Sequence, residues 1–156
     1  MGVADEIEIV PIGELTGEIL RTLIEFDADS QRINFPKDAP NRKETEARIR
    51  REFAEEPEGM QVVRHRGKVV GCLFLKTRHN PYRRCDYLDL RNIYLAADYR
   101  GKGVGRRLLA DMEAYAKRKR CAYLFLGTGW DNADARRLFE AFGFRPIRVI
   151  MEKELR

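Results

Sequence analysis

Residues 93–109 read Ile-Tyr-Leu-Ala-Ala-Asp-Tyr-Arg-Gly-Lys-Gly-Val-Gly-Arg-Arg-Leu-Leu. No other stretch constrains the fold as strongly. A short apolar strand enters a loop with glycines at 101, 103 and 105, and the loop enters an amphipathic helix. Alternate glycines allow positive φ and a close backbone approach. A helix start leaves N–H groups unpaired, and its dipole favours an anion there. Strand, glycine loop and helix N-terminus together form a phosphate cradle. Arg100, Lys102, Arg106 and Arg107 add positive charge.

Two familiar cradles do not fit. The Walker pattern places about four residues between its first glycine and Gly-Lys-Ser/Thr. Here the glycines alternate and no Ser or Thr follows. The dinucleotide fingerprint needs Gly-x-Gly-x-x-Gly and an acid roughly 20 residues on. Gly103-Val104-Gly105 is followed by Arg106-Arg107-Leu108, and the strand at 122–126 ends in Gly127-Thr128.

The segment Arg100-Gly101-Lys102-Gly103-Val104-Gly105 matches Arg/Gln-x-x-Gly-x-Gly/Ala. It resembles the acetyl-CoA pyrophosphate loop of the GNAT N-acetyltransferase superfamily. Ile93, Tyr94 and Leu95 are similar to that family's splayed fourth strand, whose backbone bonds the pantetheine arm. Asn132, Ala135, Leu138 and Gly143-Phe144 resemble its second cofactor motif. The resemblance covers roughly residues 60 to 154 and is firm over 87–144. It implies an α/β fold with a mixed antiparallel and parallel sheet, splayed between strands 4 and 5 and flanked by helices on both faces. It also implies acetyl-CoA as co-substrate, and a cofactor site of Ile93, Tyr94, Leu95, Arg100, Gly101, Lys102, Gly103, Val104, Gly105, Arg106 and Asn132.

Composition bounds the alternatives. The 156 residues suit one domain spanning 1–156. No window is apolar enough to span a membrane, and the acidic start at Asp5 and Glu6 is unlike a secretory signal. Glu6 stands where a myristoylation signal wants Ser or Thr. Cys72, Cys85 and Cys121 share no close spacing, and His65 and His79 are scattered, so neither a disulfide framework nor a metal is expected. The expected setting is a reducing cytoplasm. The net charge of +5 raises nucleic acid as a partner. However, the densest run, Lys117-Arg118-Lys119-Arg120, closes a helix and complements its dipole, and no basic stretch is interleaved with base-stacking aromatics. Nucleic acid is therefore not expected as a partner.

No repeat or low-complexity segment appears. Periodicity predicts a strand at 7–10 and a helix at 15–26. It predicts a loop over 27–41 and a sparse, lid-like helix over 43–53 with Ala47, Ile49 and Phe53 as its apolar face. A hairpin follows at 60–65 and 69–76, with Gly71 marking a bulge or close approach. Then come a strand at 85–95, a helix at 104–118, a strand at 123–126 and a helix at 133–142 capped by Gly143. One or two closing strands are expected over 144–154. Hairpins followed by strand–helix alternation indicate a mixed sheet.

The reaction implied by the resemblance is attack of an acceptor amine on the acetyl thioester. The family's usual base, a Glu on the fifth strand five residues before the motif Asn, falls on Gly127. Asp89 is the candidate base instead, placed on the face of Leu95 by period-two alternation. Its other reading is an ion pair with Arg91. The family's usual acid, a Tyr seven residues after the Asn, falls on Phe139. Phenylalanine donates no proton, which leaves no acid at all, water, Tyr94 or Tyr123, and no residue is assigned as the general acid. Asn132 also suits an ordinary N-cap. The acceptor is a small-molecule or peptide amine, with Phe35, Arg32, Tyr82 and Trp130 as expected lining and Glu25, Asp27 and Asp29 as attracting charges. The alternative is a non-catalytic acyl-CoA-binding sensor on the same fold. A homodimer, common in the family, has no residue stripe of its own here.

Overall fold

The computed structural model describes residues 2–156. The chain runs α1 (Val3–Glu6), β1 (Ile7–Pro11), α2 (Gly17–Asn34), α3 (Arg42–Glu55), β2 (Met60–His65), β3 (Lys68–Asn80), β4 (Cys85–Leu95), α4 (Val104–Arg118), β5 (Tyr123–Leu126) and α5 (Ala133–Phe142). Single 3₁₀ turns sit at Pro57–Gly59 and Ala97–Tyr99. The strands form one five-stranded sheet in chain order. Its first four strands are antiparallel and β5 lies parallel to β4. The α4 crossover supplies the connection that a parallel neighbour requires.

Each face of the sheet carries its own apolar layer. On one face Met60, Val62, Cys72, Phe74 and Tyr94 pack with Leu20, Leu23 and Ile49 of α2 and α3. On the other, Leu73, Leu75, Leu88 and Leu90 pack with Leu109, Met112, Tyr115 and Phe139 of α4 and α5. Ile7, Val63, Val70, Val104 and Leu108 extend that second layer beneath α1. Period-two alternation along β2, β3 and β4 divides the side chains between the layers.

Helix α2 runs eight residues past the predicted end at Phe26. Its polar second half is held by partners on α3. The buried Asp27 carboxylate accepts hydrogen bonds from Gln31 Nε2 (2.6 Å), Thr45 Oγ1 (3.1 Å) and Arg48 (2.5 Å). The polarity that reads as loop is thus the seam between two helices. The lid-like reading of α3 also fails. Its inward face is Thr45, Ile49 and Glu52, while Ala47 is exposed. Thr16 and Asn41 cap these helices by accepting from Ile19 N and Glu44 N.

Residues 144–156 form no strand, contrary to the expected closing strands. The backbone there finds no ladder partner within this chain. Gly71 satisfies both of its expectations. The register against β2 slips beside it, and a Cβ there would lie 2.3 Å from the Tyr94 carbonyl oxygen.

Ile49 is fully buried against the sheet, so Ile49→Ala should cost about 2–5 kcal/mol. At roughly 2–4 °C per kcal/mol for a domain this size, a thermal melt should shift down by about 5–15 °C. A shift under about 2 °C would restore the lightly packed lid.

Candidate functional site

β4 and β5 run together for only part of their length. The parallel register pairs Tyr87 with Tyr123, Leu88 with Leu124, Asp89 with Phe125 and Leu90 with Leu126, and ends there. β4 continues through Arg91, Asn92, Ile93, Tyr94 and Leu95. These residues face β3 on one side, with Asn92 opposite Phe74 and Leu95 opposite Gly71. Among the described residues they have no strand partner on the β5 side. One row of backbone N–H and C=O groups therefore lines an opening in the sheet.

A bulge marks the start of that opening. Phe74 pairs with Asn92 but Leu75 pairs with Leu90, so Arg91 is the extra residue. The slip reverses the expected alternation. Asp89 now shares the α2/α3 face with Asn92 and Tyr94, while Ile93 and Leu95 pack against the α4 side. Asp89 and Leu95 therefore lie on opposite faces. The Asp89 carboxylate is buried and paired with Arg78 Nε at 2.9 Å and Arg91 at 3.5 Å. Arg91 reaches on to Glu52, which also pairs with Arg48.

Beyond the opening, the chain turns through Ala97–Tyr99 into the glycine loop. The Arg100 side chain closes this corner by donating from Nε to the Leu95 carbonyl at 2.8 Å, and its guanidinium lies over the Tyr94 ring. Gly103 caps α4 at φ +81° in the left-handed region, without a side-chain cap, and no acid occupies the first turn. The N–H groups of Val104, Gly105 and Arg106 thus begin the helix with neither a carboxylate nor a hydroxyl on them. Gly105 has a different duty. A Cβ there would stand 2.8 Å from Leu138 Cδ2, so this glycine admits α5. The cations also divide. Arg107 donates to the Ala4 carbonyl and Arg106 lies over Phe142, whereas Lys102 is exposed at the loop.

Asn132 caps α5, its Oδ1 accepting from Ala135 N at 3.3 Å. Phe139 is buried in the α4/α5 layer against Phe144. Gly127, at the end of β5, has open space where a Cβ would project. Tyr94 donates its hydroxyl to Asp29 at 2.6 Å and stacks on Phe26. Burial, then the Asp29 hydrogen bond and charge, push its pKa up to about 12, which makes it a poor proton donor near neutrality. Tyr123 stands at the far end of β5 from the opening, paired with Tyr87 and accepting from Asn80.

A family model described as the acetyltransferase (GNAT) family matches residues 22–144. The chain belongs to that family. Among solved structures, PH1933 from Pyrococcus horikoshii OT3 superimposes with a TM-score of 0.78 at 21% identity, covering 94% of this chain and 93% of its own. A protein described as a possible acetyltransferase from Clostridium difficile 630 gives 0.76 at 17% identity, over 96% and 97%. A transcriptional regulator from Bacillus halodurans C-125 gives 0.73 at 17%, over 96% and 99%. At such identities the likeness establishes the fold. No curated protein matches the chain.

This family member spends most of its expected acceptor-binding charge internally. Glu25 pairs with Arg42, Asp27 with Arg48, and Asp29 with Arg32 and Tyr94. The end of α2 does meet the loop after β5, since a Cβ on Gly129 would lie 3.7 Å from Asn34 Oδ1. That contact sets the exposed Phe35 and Trp130 on segments that adjoin, whereas Tyr82 lies in the β3–β4 turn at the other end of the strands. In the basic run, Lys119 pairs with Glu58 and Lys117 with Glu113. No helix is long and apolar enough to cross a membrane, and no cluster of metal-ligating side chains forms among the described residues. The pair of Asp89 with Arg91 is the alternative reading that the sequence offered, whereas the bulge and the other internal ion pairs had no signal there.

Gly105→Ala should cost at most about 1 kcal/mol, because the atom its Cβ meets is the end of the half-buried Leu138 side chain, which can turn aside. In a Leu138→Ala background the same substitution should cost less than about half as much, a coupling that a double-mutant cycle of thermal melts detects. Equal costs in both backgrounds would show that Gly105 serves the loop rather than the helix contact.

Proposed function

We propose that the protein is an acetyl-CoA-dependent N-acetyltransferase acting by direct attack of a primary amine on the thioester. The observation that carries this reading is the continuity of the open β4 edge with the uncapped start of α4. A pantetheine arm is an extended chain of amides, and the outward N–H and C=O of Ile93 and the outward N–H of Leu95 suit it, the Tyr94 groups facing β3 and the Leu95 carbonyl being held by Arg100. A pyrophosphate needs convergent N–H donors and positive charge. The loop from Gly101 to Gly105 and the first turn at Arg106 offer the donors, with Arg100 and Lys102 adjacent. Asn132 contributes by fixing the start of α5 at the rim.

In the reaction the neutral amine forms a C–N bond to the thioester carbonyl. The oxyanion so formed is stabilised by backbone N–H groups aimed from the open strand edge. Collapse breaks the C–S bond and expels the CoA thiolate, while the proton on nitrogen passes to water. A thiol with an ordinary pKa near 8.5 is a tolerable leaving group without a protein acid. This route suits a chain with Phe139 at the family's acid position and Tyr94 committed to Asp29. Asp89, the expected base, is assigned instead to holding Arg91 at the bulge, because both guanidiniums already claim its carboxylate.

Acetyl-CoA at about 100 times its Kd should stabilise the protein by about 2.7 kcal/mol, a thermal shift of roughly 5–10 °C. Gly103→Glu should abolish that shift, and thiol release with an amine panel should identify turnover. A shift without thiol release for any amine would favour the acyl-CoA sensor, a reading that Gly127 and Phe139 keep open. No shift with folded protein would remove the cofactor assignment.

Asp89→Asn separates the two roles of that residue. As an ion-pair anchor beside half-exposed arginines, its loss should cost about 1–2 kcal/mol in a thermal melt. Turnover and its pH profile should be retained. Loss of turnover of about 100-fold, with the acidic limb of the profile displaced, would make Asp89 the base.

A further inference from the structure

The apolar layer beneath α2 and α3 stops short of the β5 side of the sheet, and a shelf of rings takes its place there. Leu124 and Leu126 pack into the α4/α5 layer, so alternation sends Tyr123 and Phe125 to the opposite face. Tyr87 joins them as the register partner of Tyr123. The two tyrosine rings stack at 5.1 Å, and Phe125 meets Tyr87 edge-on at 5.7 Å. None of the three rings enters the α2/α3 core, and each is half-buried. The shelf begins at the site. Phe125 is the register partner of Asp89, just before the ladder ends at Leu90 and Leu126. From Leu126 back to Tyr123, at about 3.3 Å per residue, the shelf runs roughly 10 Å, the span of a short extended peptide.

Guanidiniums border this shelf. Arg83 lies 4.7 Å over the Tyr123 ring, and Arg148 lies 5.9 Å from the centre of Phe125. Both residues are exposed, and neither forms an ion pair among the described residues. The position of Arg83 is built. Asn80 Oδ1 accepts from Tyr82 N at 3.0 Å and Arg83 N at 3.1 Å, while Asn80 Nδ2 donates to the Tyr123 hydroxyl at 2.8 Å. One side chain thus ties the turn that bears Arg83 to the ring beneath it. Arg78 stands opposite Tyr87, and Arg91 sits at the bulge. These two share the buried Asp89 carboxylate, and Glu52, which Arg91 also meets, holds Arg48 as well. The exposed surface of the shelf is therefore cationic. A guanidinium over a ring keeps its N–H fork at the edges, where a carboxylate can take it.

We propose that the acceptor is the N-terminal segment of an acidic peptide. It lies along this shelf with its α-amine in the gap and the carboxylates of its next residues on Arg148 and Arg83. The proposal rests on the acetyltransferase reading and narrows the class of amine. An extended chain matches the length of the shelf, and acidic side chains match guanidiniums that have no partner of their own. Nucleic acid fits less well, because the Tyr123 ring already stacks on Tyr87 and carries Arg83, which leaves little ring face for a base. The transfer is the one described above. The α-amine nitrogen bonds the acetyl carbon, the C–S bond breaks, the CoA thiolate leaves and the proton on nitrogen passes to water.

The test is thiol release from acetyl-CoA with the amidated peptides Ala-Glu-Glu-Glu, Ala-Gln-Gln-Gln and Ala-Arg-Arg-Arg. With two exposed ion pairs gained, the glutamate peptide should exceed the glutamine peptide in kcat/KM by about tenfold, mostly through KM. The arginine peptide should be the poorest, and the differences should shrink with added salt. In an Arg83→Glu, Arg148→Glu double variant the order should invert, which a loss of packing alone would not produce. The variant's own thermal shift with acetyl-CoA reports that it is folded. Equal kcat/KM for the three peptides, or the wild-type order kept in the folded double variant, would overturn the proposal. So would tighter binding of an oligothymidylate than of the glutamate peptide, which would give the shelf to nucleic acid. A thermal shift with acetyl-CoA but turnover of none of the peptides removes this proposal and leaves the cofactor assignment standing. No thermal shift removes the acetyltransferase reading and the proposal with it.

Discussion

The site depends on where β4 parts from β5. The parallel ladder ends at Leu90 and Leu126, and the bulge at Arg91 begins at that point. A bulge bends its strand and increases the local twist. The last five residues of β4 are thereby turned away from the line of β5 while β3 still holds them on the other side. An open row of peptide groups inside a sheet is costly when it stays unpaired and dry. Here it faces a gap that leads to a helix start. The bulge is braced by charge, since Arg91 lies between Asp89 and Glu52, and Glu52 ties the bracing to α3.

The glycine loop combines requirements that sequence cannot separate. Gly103 turns the chain into α4 through a left-handed conformation, which a Cβ would strain. Gly105, two positions later, leaves room for Leu138 and so docks α5 on α4. One of these glycines shapes the anion-binding end of the helix, and the other supports it from behind. The Arg100 bond to the Leu95 carbonyl links the loop to the end of the open strand, so strand and cradle form one unit.

Much of this was legible in the residues. β4, α4, β5 and α5 lie at their expected bounds because each has strong periodicity and clear end signals, such as Asn132 before α5 and Gly143 after it. The failures share a cause. Asp27 and Gln31 look like loop residues until Thr45 and Arg48, from a helix far along the chain, satisfy them. Alternation placed Asp89 with Leu95 because a single inserted residue leaves no trace in a period of two. The acids at 25, 27 and 29 looked free to meet a cationic ligand, but each has a partner within the chain.

The sequence by itself determined the strand–glycine–helix cradle, the family and the mixed sheet. Those follow from local periodicity and from backbone demands that only glycine meets at the turn. Tertiary structure alone decided which face each β4 side chain occupies, which carboxylates remain free, and that α3 belongs to the core. These depend on register and on partners distant in the chain, which hydrogen bonding and burial select only once the layers pack. It also left the strand-like pattern of residues 147–151 without a partner in its own chain, because a strand exists only where another backbone pairs with it.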